Sequence, residues 1–129
     1  MRKVKADFNP FGPSNETWLC VVSVGEIRSI ALANQWGEKK RLWLERFLAQ
    51  FPVADLNSDE TLNRYAEIEA YSQCRLPTVS PQPISPRNMG KNDLWIAATA
   101  SVLNATLLTT DKDFEHLDKV FLNLSRVEL

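Results

Sequence analysis

The sequence predicts an α/β domain with a mainly parallel sheet covered by helices on both faces. Short apolar, β-branched runs alternate with helical patterns along the chain, the arrangement that yields parallel strands joined by helical crossovers. The strand candidates are continuously apolar, as strands buried on both faces are. The candidate site acids fall just beyond those runs, where open parallel sheets place their ligands. With 129 residues, of which 44% are hydrophobic, the chain has the content of one domain spanning 1–129 rather than two.

Residues 1–17 read as an irregular segment, because Arg2, Lys3 and Lys5 are followed by the breakers Pro10, Gly12 and Pro13. The run 18–22, Trp-Leu-Cys-Val-Val, predicts a first buried strand. Ser23-Val24-Gly25-Glu26 has the spacing of a capping box, and Ile27, Ile30, Ala31 and Asn34 continue at helical spacing to a stop at Gly37. A second helix starts near Glu38, with Leu44, Phe47, Leu48 and Phe51 on one face, and Pro52 ends it. Residues 53–56 predict another strand. Asn57-Ser58-Asp59 then caps a helix carrying Leu62, Tyr65, Ile68 and Tyr71 as far as about Cys74.

Four prolines, Pro77, Pro81, Pro83 and Pro86, make residues 75–91 a loop, expected to be mobile. Asn92, as N-cap, and Asp93 open an alanine-rich apolar helix, Leu94 to Leu103, suited to burial. Strand 106–109, a short helix over 113–117 and a last strand over 120–124 complete the order. Trp36 and Trp95 read as core side chains. Cys20 and Cys74 have no metal-ligand spacing, which suits a reducing cytoplasm. The N-terminus lacks the apolar core of a signal peptide and no run is long enough to span a bilayer, so a soluble cytoplasmic protein without membrane attachment is expected. The balance of 15 basic against 16 acidic side chains neither supports nor excludes a nucleic-acid partner.

Glu26, Asp93 and Asp111 each follow a predicted strand or open a helix, so three carboxylates separated in sequence are expected at one end of the sheet. A cluster of carboxylates open to water suits Mg²⁺ or Mn²⁺, which prefer oxygen ligands and retain waters. Taken singly, Glu26, Asp111 and Asp113 read first as helix caps, a role worth about 1 kcal/mol each. Asp93 resists that reading because Asn92 already serves as the cap. His116, the sole histidine, reads as a surface or capping residue. A doubly wound nucleotide-binding domain is the weaker alternative, since no Gly-rich phosphate loop occurs among only four glycines.

Three segments together resemble the PIN-domain ribonucleases, especially the VapC-type toxins of bacterial toxin–antitoxin pairs. They are Val22-Ser23-Val24-Gly25-Glu26-Ile27, Gly90-Lys91-Asn92-Asp93-Leu94-Trp95-Ile96-Ala97-Ala98-Thr99-Ala100 and Leu107-Leu108-Thr109-Thr110-Asp111-Lys112-Asp113-Phe114. The resemblance runs from Ser23 to Leu117, about three-quarters of the chain, and Asp111 follows Asp93 by 18 residues. It implies a PIN-like three-layer fold and a metal-dependent endoribonuclease. In that reading Glu26, Asp93 and Asp111 hold Mg²⁺ or Mn²⁺, which activates water against an RNA phosphodiester. Asp113, Thr109 and Asn92 are supporting residues, and Lys91 contacts phosphate. An antitoxin protein is the implied partner, with a homodimer as a further assembly.

The front of the chain departs from the family's pattern, which opens with a buried strand ending in a first aspartate. Asp7-Phe8-Asn9 mimics the Asp-Xaa-Asn signature, but its flanks suit neither strand nor helix. Two expectations follow: a coding start upstream of Met1, or a shortened, catalytically inactive descendant that binds protein or RNA.

Overall fold

The computed structural model describes residues 16–127, which fall into two compact units, one of residues 16–55 and one of residues 56–127. The expectations for an irregular N-terminal segment and a missing opening strand lie outside the described residues, apart from 16 and 17, which belong to neither a helix nor a strand.

In the first unit, β1 (Leu19–Cys20) pairs in parallel with β2 (Val53–Ala54), Leu19 opposite Val53 and Cys20 opposite Ala54. The helices α1 (Val21–Ala33) and α2 (Glu38–Leu48) lie between them in sequence. The predicted strand 18–22 is therefore cut to two residues. A short apolar run satisfies burial in a strand or a helix, and here Val21 and Val22 take the helix. The capping box does not form: Cys20 is the N-cap and makes no side-chain capping bond, which leaves Ser23 inside the first turn. Strand 53–56 is likewise shortened to Val53–Ala54. Val24, Ala31, Leu44 and Ala54 are buried. Arg28 and Glu45 join the two helices by an ion pair of 2.6 Å, solvent-exposed and so worth little to stability.

In the second unit, α3 (Asp59–Ser72) begins as expected, with the Ser58 hydroxyl accepting from the Thr61 N–H. Helix α4 (Lys91–Val102) packs along α3 and has Gly90 as its N-cap, so Asn92 lies within the first turn and is not the cap. β3 (Thr106–Thr109) pairs in parallel with β4 (Asn123–Arg126), Thr109 opposite Arg126. The short helix expected over 113–117 forms as a 3-10 helix, Lys112–Leu117.

The last strand begins three residues later than predicted. Lys119 adopts a left-handed φ of 63° and its N–H bonds to the Leu122 carbonyl at 2.7 Å, so Val120 and Phe121 sit in a turn. Their apolar side chains, which suggested a strand, pack on the core instead. That core is Ile68, Tyr71, Leu94, Ala97, Ala98, Ala100, Phe114, Leu117 and Leu122. The small side chains of α4 let its backbone approach its neighbours closely, as the alanine run predicts.

Loop 75–90 is tied to its own unit at several points. The Tyr71 hydroxyl donates to the Pro81 carbonyl at 2.5 Å, Gln82 Nε2 donates to the Leu76 carbonyl at 2.8 Å, and the Arg87 N–H donates to the Ser72 carbonyl at 2.7 Å. Among the described residues no helix is long and apolar enough to cross a membrane.

Candidate metal centre

The second unit brings three acids together. Asp93 lies in the first turn of α4, Asp111 caps the 3-10 helix, and Asp113 lies in the first turn of that helix. One carboxylate oxygen from each of Asp93, Asp111 and Asp113 falls within 4.8 Å of the other two. The chain between β3 and the 3-10 helix is shaped locally: the Asp111 N–H donates to Thr109 Oγ1 at 3.1 Å, and the Asp113 N–H donates to Asp111 Oδ1 at 2.9 Å. Asp111 is thus a cap and a member of the cluster at once. Its other oxygen takes no part in capping.

Three carboxylates this close repel one another when all are ionised. The partial positive charge at the start of α4 offsets some of that repulsion. Ligand oxygens around one octahedral Mg²⁺ or Mn²⁺ lie roughly 3–4 Å apart, given metal–oxygen bonds of about 2.1 Å. A spacing within 4.8 Å closes to that range by small side-chain rotations. Asp93 is half-buried and Asp113 exposed, which leaves room for retained waters. The donor set fits a hard divalent cation.

Of the acids singled out from sequence, Asp93 and Asp111 stand in this cluster, and Asp113, read only as a supporting residue, joins them. Its position two residues beyond Asp111, at the first turn of a helix, was the available signal. Glu26 is exposed in the second turn of α1 and belongs to the first unit. Lys91 and Asn92 are exposed in the first turn of α4. Trp95 is half-buried and tilts against Tyr65 with ring centroids 6.2 Å apart, while Trp36 is half-buried beneath Lys40 Nζ at 3.9 Å.

His116 is neither a surface residue nor a cap. It is half-buried, its Nε2 lies 2.7 Å from the hydroxyl of Ser72, and its ring stacks parallel to Tyr71. Burial pushes its pKa down to about 4, the Arg87 guanidinium adding to the fall and Asp113 opposing it. Ser72 is 1% exposed. Nothing in the local sequence pattern singles out this pair, because 44 residues separate its members.

The comparisons with known proteins bear on this arrangement. The family model described as the PIN domain matches residues 7–120, nearly the whole chain. The chain belongs to the PIN-domain family. The match includes Asp7-Phe8-Asn9, which lie outside the described residues. PIN domains are in general divalent-metal-dependent nucleases, and the acid cluster is of the kind such chemistry requires. The fold of this PIN domain is also similar to a crystal structure of a member of the VapBC family of toxin–antitoxin systems, VapBC-5 from Mycobacterium tuberculosis. The TM-score is 0.56 at 22% identity, over 85% of this chain and 79% of that one. At that identity the likeness concerns the fold alone. No curated protein matches the sequence.

Proposed function

We propose that this PIN domain is a cytoplasmic, metal-dependent endoribonuclease of the VapC toxin type. The observation that supports the reading best is the convergence of Asp93, Asp111 and Asp113 in a chain of this family. The three carboxylates would hold Mg²⁺ or Mn²⁺, and the family resemblance gives Glu26, on α1, a ligand role as well. Bound there, such an ion would supply a nucleophilic water and charge neutralisation for phosphodiester hydrolysis.

The chain's own residues then have separate tasks. Asp111 keeps the 3-10 helix capped with Oδ1 and has a second oxygen available for the ion. Thr109 fixes the turn through its bond to the Asp111 N–H. Lys91, exposed at the start of α4, offers an ammonium to an RNA phosphate, and Asn92 beside it offers an amide. The similar VapBC structure is of a member of a toxin–antitoxin family, and an antitoxin is the partner we assign here. The first unit supplies a mixed apolar and charged surface for a protein partner: Leu32, 63% exposed, lines a cleft of about 460 Å³ with Ala31, Leu42, Leu44 and the charged Arg28, Glu38, Arg41 and Glu45, and Trp43 on α2 is 60% exposed. Self-association is tested by light scattering, which reads the mass of the chain alone.

Thermal melting with millimolar Mn²⁺ tests the metal, since an ion that binds only the folded chain stabilises it by mass action. The unmutated chain should melt higher with Mn²⁺, and Asp93→Asn should lose both the shift and the cleavage of RNA. No response of the unmutated chain to Mn²⁺ would remove the nuclease reading. A metal response without RNA cleavage would favour the binding-module alternative.

A further inference from the structure

The acids of the cluster arrive on two separate segments, α4 after loop 75–90 and the 3-10 helix after β3. Ligands held on different segments bind an ion well only when something fixes those segments against each other. Ser72, at the last turn of α3, touches both. Its hydroxyl lies 3.3 Å from Met89 Sδ and 2.7 Å from His116 Nε2, and its carbonyl accepts from the Arg87 N–H at 2.7 Å. Arg87 and Met89 stand immediately before the helix that carries Asp93. His116 follows Asp113 by three residues, which in a 3-10 helix places both side chains on one edge.

The remaining contacts favour a fixed arrangement. Tyr71 lies parallel to the imidazole at 4°, with centroids 6.3 Å apart, and is itself held edge-on by Phe121 at 5.2 Å. Its hydroxyl bonds to Pro81 in the same loop. Ser72 is 1% exposed, so water does not compete for its hydroxyl. A buried serine bonded to a half-buried histidine also suggests nucleophilic chemistry, but a hydroxyl closed to solvent cannot reach a substrate.

Building on the metal-site reading above, we infer that Ser72 and His116 are positioning residues for the metal centre: their hydrogen bond sets the spacing between Asp93 and the Asp111–Asp113 turn. Neither residue touches the ion or the RNA. Their effect passes through residues 87–93 on one side and residues 113–116 on the other.

The test is Mn²⁺ affinity, measured by titration of the free ion well below the melting temperature of each variant. Ser72→Ala and His116→Phe should each weaken Mn²⁺ binding about tenfold, the scale of losing a group that orients metal ligands. The double variant should be no weaker than either single one, because both remove the same bond. His116→Gln, whose amide reaches the place of Nε2, should recover most of the affinity. Hydrogen exchange without metal adds an independent readout: amides of 89–93 and 113–116 should exchange faster in Ser72→Ala, with those of α3 unchanged.

If the variants melt lower yet bind Mn²⁺ as tightly as the unmutated chain, the pair is merely structural and the inference is wrong. Additive losses in the double variant would overturn it as well. Should Ser72→Ala fail to fold, His116→Gln against His116→Phe decides the matter alone. If the unmutated chain itself ignores Mn²⁺, the metal reading fails and the inference falls with it, a result distinct from loss confined to the variants.

Discussion

At the scale of single residues, the question is how a helix cap differs from a metal ligand, and Asp111 poses it most sharply. Its Oδ1 accepts from the Asp113 N–H at 2.9 Å, so the capping reading from sequence is correct as far as it goes. Asparagine caps as well as aspartate, whereas a neutral amide is a poor ligand for Mg²⁺ or Mn²⁺. Asp111→Asn should therefore melt without metal at or slightly above the unmutated chain, since one charge leaves a crowded cluster, and should show a reduced Mn²⁺ shift. Asp111→Ala should lose about 1 kcal/mol of stability as well. Equal Mn²⁺ shifts in all three proteins would make Asp111 a cap alone. Asp93 and Asp111 were legible in the sequence because each opens a helix after a turn or strand. The Ser72–His116 bond was not, because a contact between residues so far apart in sequence leaves no local periodicity.

At the scale of elements, the helix ends explain where the sequence misleads. Three helices close with the same arrangement: after α1 the Trp36 N–H bonds to the Ala31 carbonyl, after α3 Arg75 to Ala70, and after α4 Ala105 to Ala100. The left-handed residue each arrangement needs is Gln35, Cys74 and Asn104, with φ of 54°, 60° and 53°. Glycine is the usual occupant, so the sequence places the end of α1 at Gly37, two residues beyond Gln35. Gly37 instead precedes α2 as its N-cap. Strand bounds slip for a related reason: apolar runs such as 18–22 and 120–124 report burial, and burial is compatible with helix or turn. Gln35→Gly should relieve the left-handed strain and raise stability by up to about 1 kcal/mol, read as a higher urea midpoint at unchanged slope. A lower midpoint would mean that the flexibility glycine adds to the unfolded chain outweighs the strain relieved.

At the scale of the whole chain, the order of helices and strands follows the expected one through the described residues, and each unit holds one parallel pair. Alternation of strand and helix is enough to specify that order, while the buried polar contacts decide how stability responds to solution conditions. His116 is the group to watch, with Tyr71 from α3, Arg87 from the loop and Asp113 from its own helix around it. Its pKa of about 4 in the folded chain lies below the ordinary value of 6.5 in the unfolded one. Between those values the unfolded chain binds the extra proton, so this residue favours unfolding progressively as pH falls from about 6.5 to about 4. Below that window both states are protonated and the effect levels off. The shift corresponds to a loss of about 2 kcal/mol after allowance for the ring's partial exposure. Carboxylates titrate in the lower half of the same window, so the comparison that isolates the histidine is with His116→Gln, which keeps a hydrogen-bonding group beside Ser72 and has no proton to gain. Urea unfolding at pH 7, 6, 5 and 4 should show the unmutated chain losing stability relative to His116→Gln by that amount. Parallel curves for the two proteins would mean that the imidazole titrates alike in the folded and unfolded chains, and that its burial beside Arg87 is open to water.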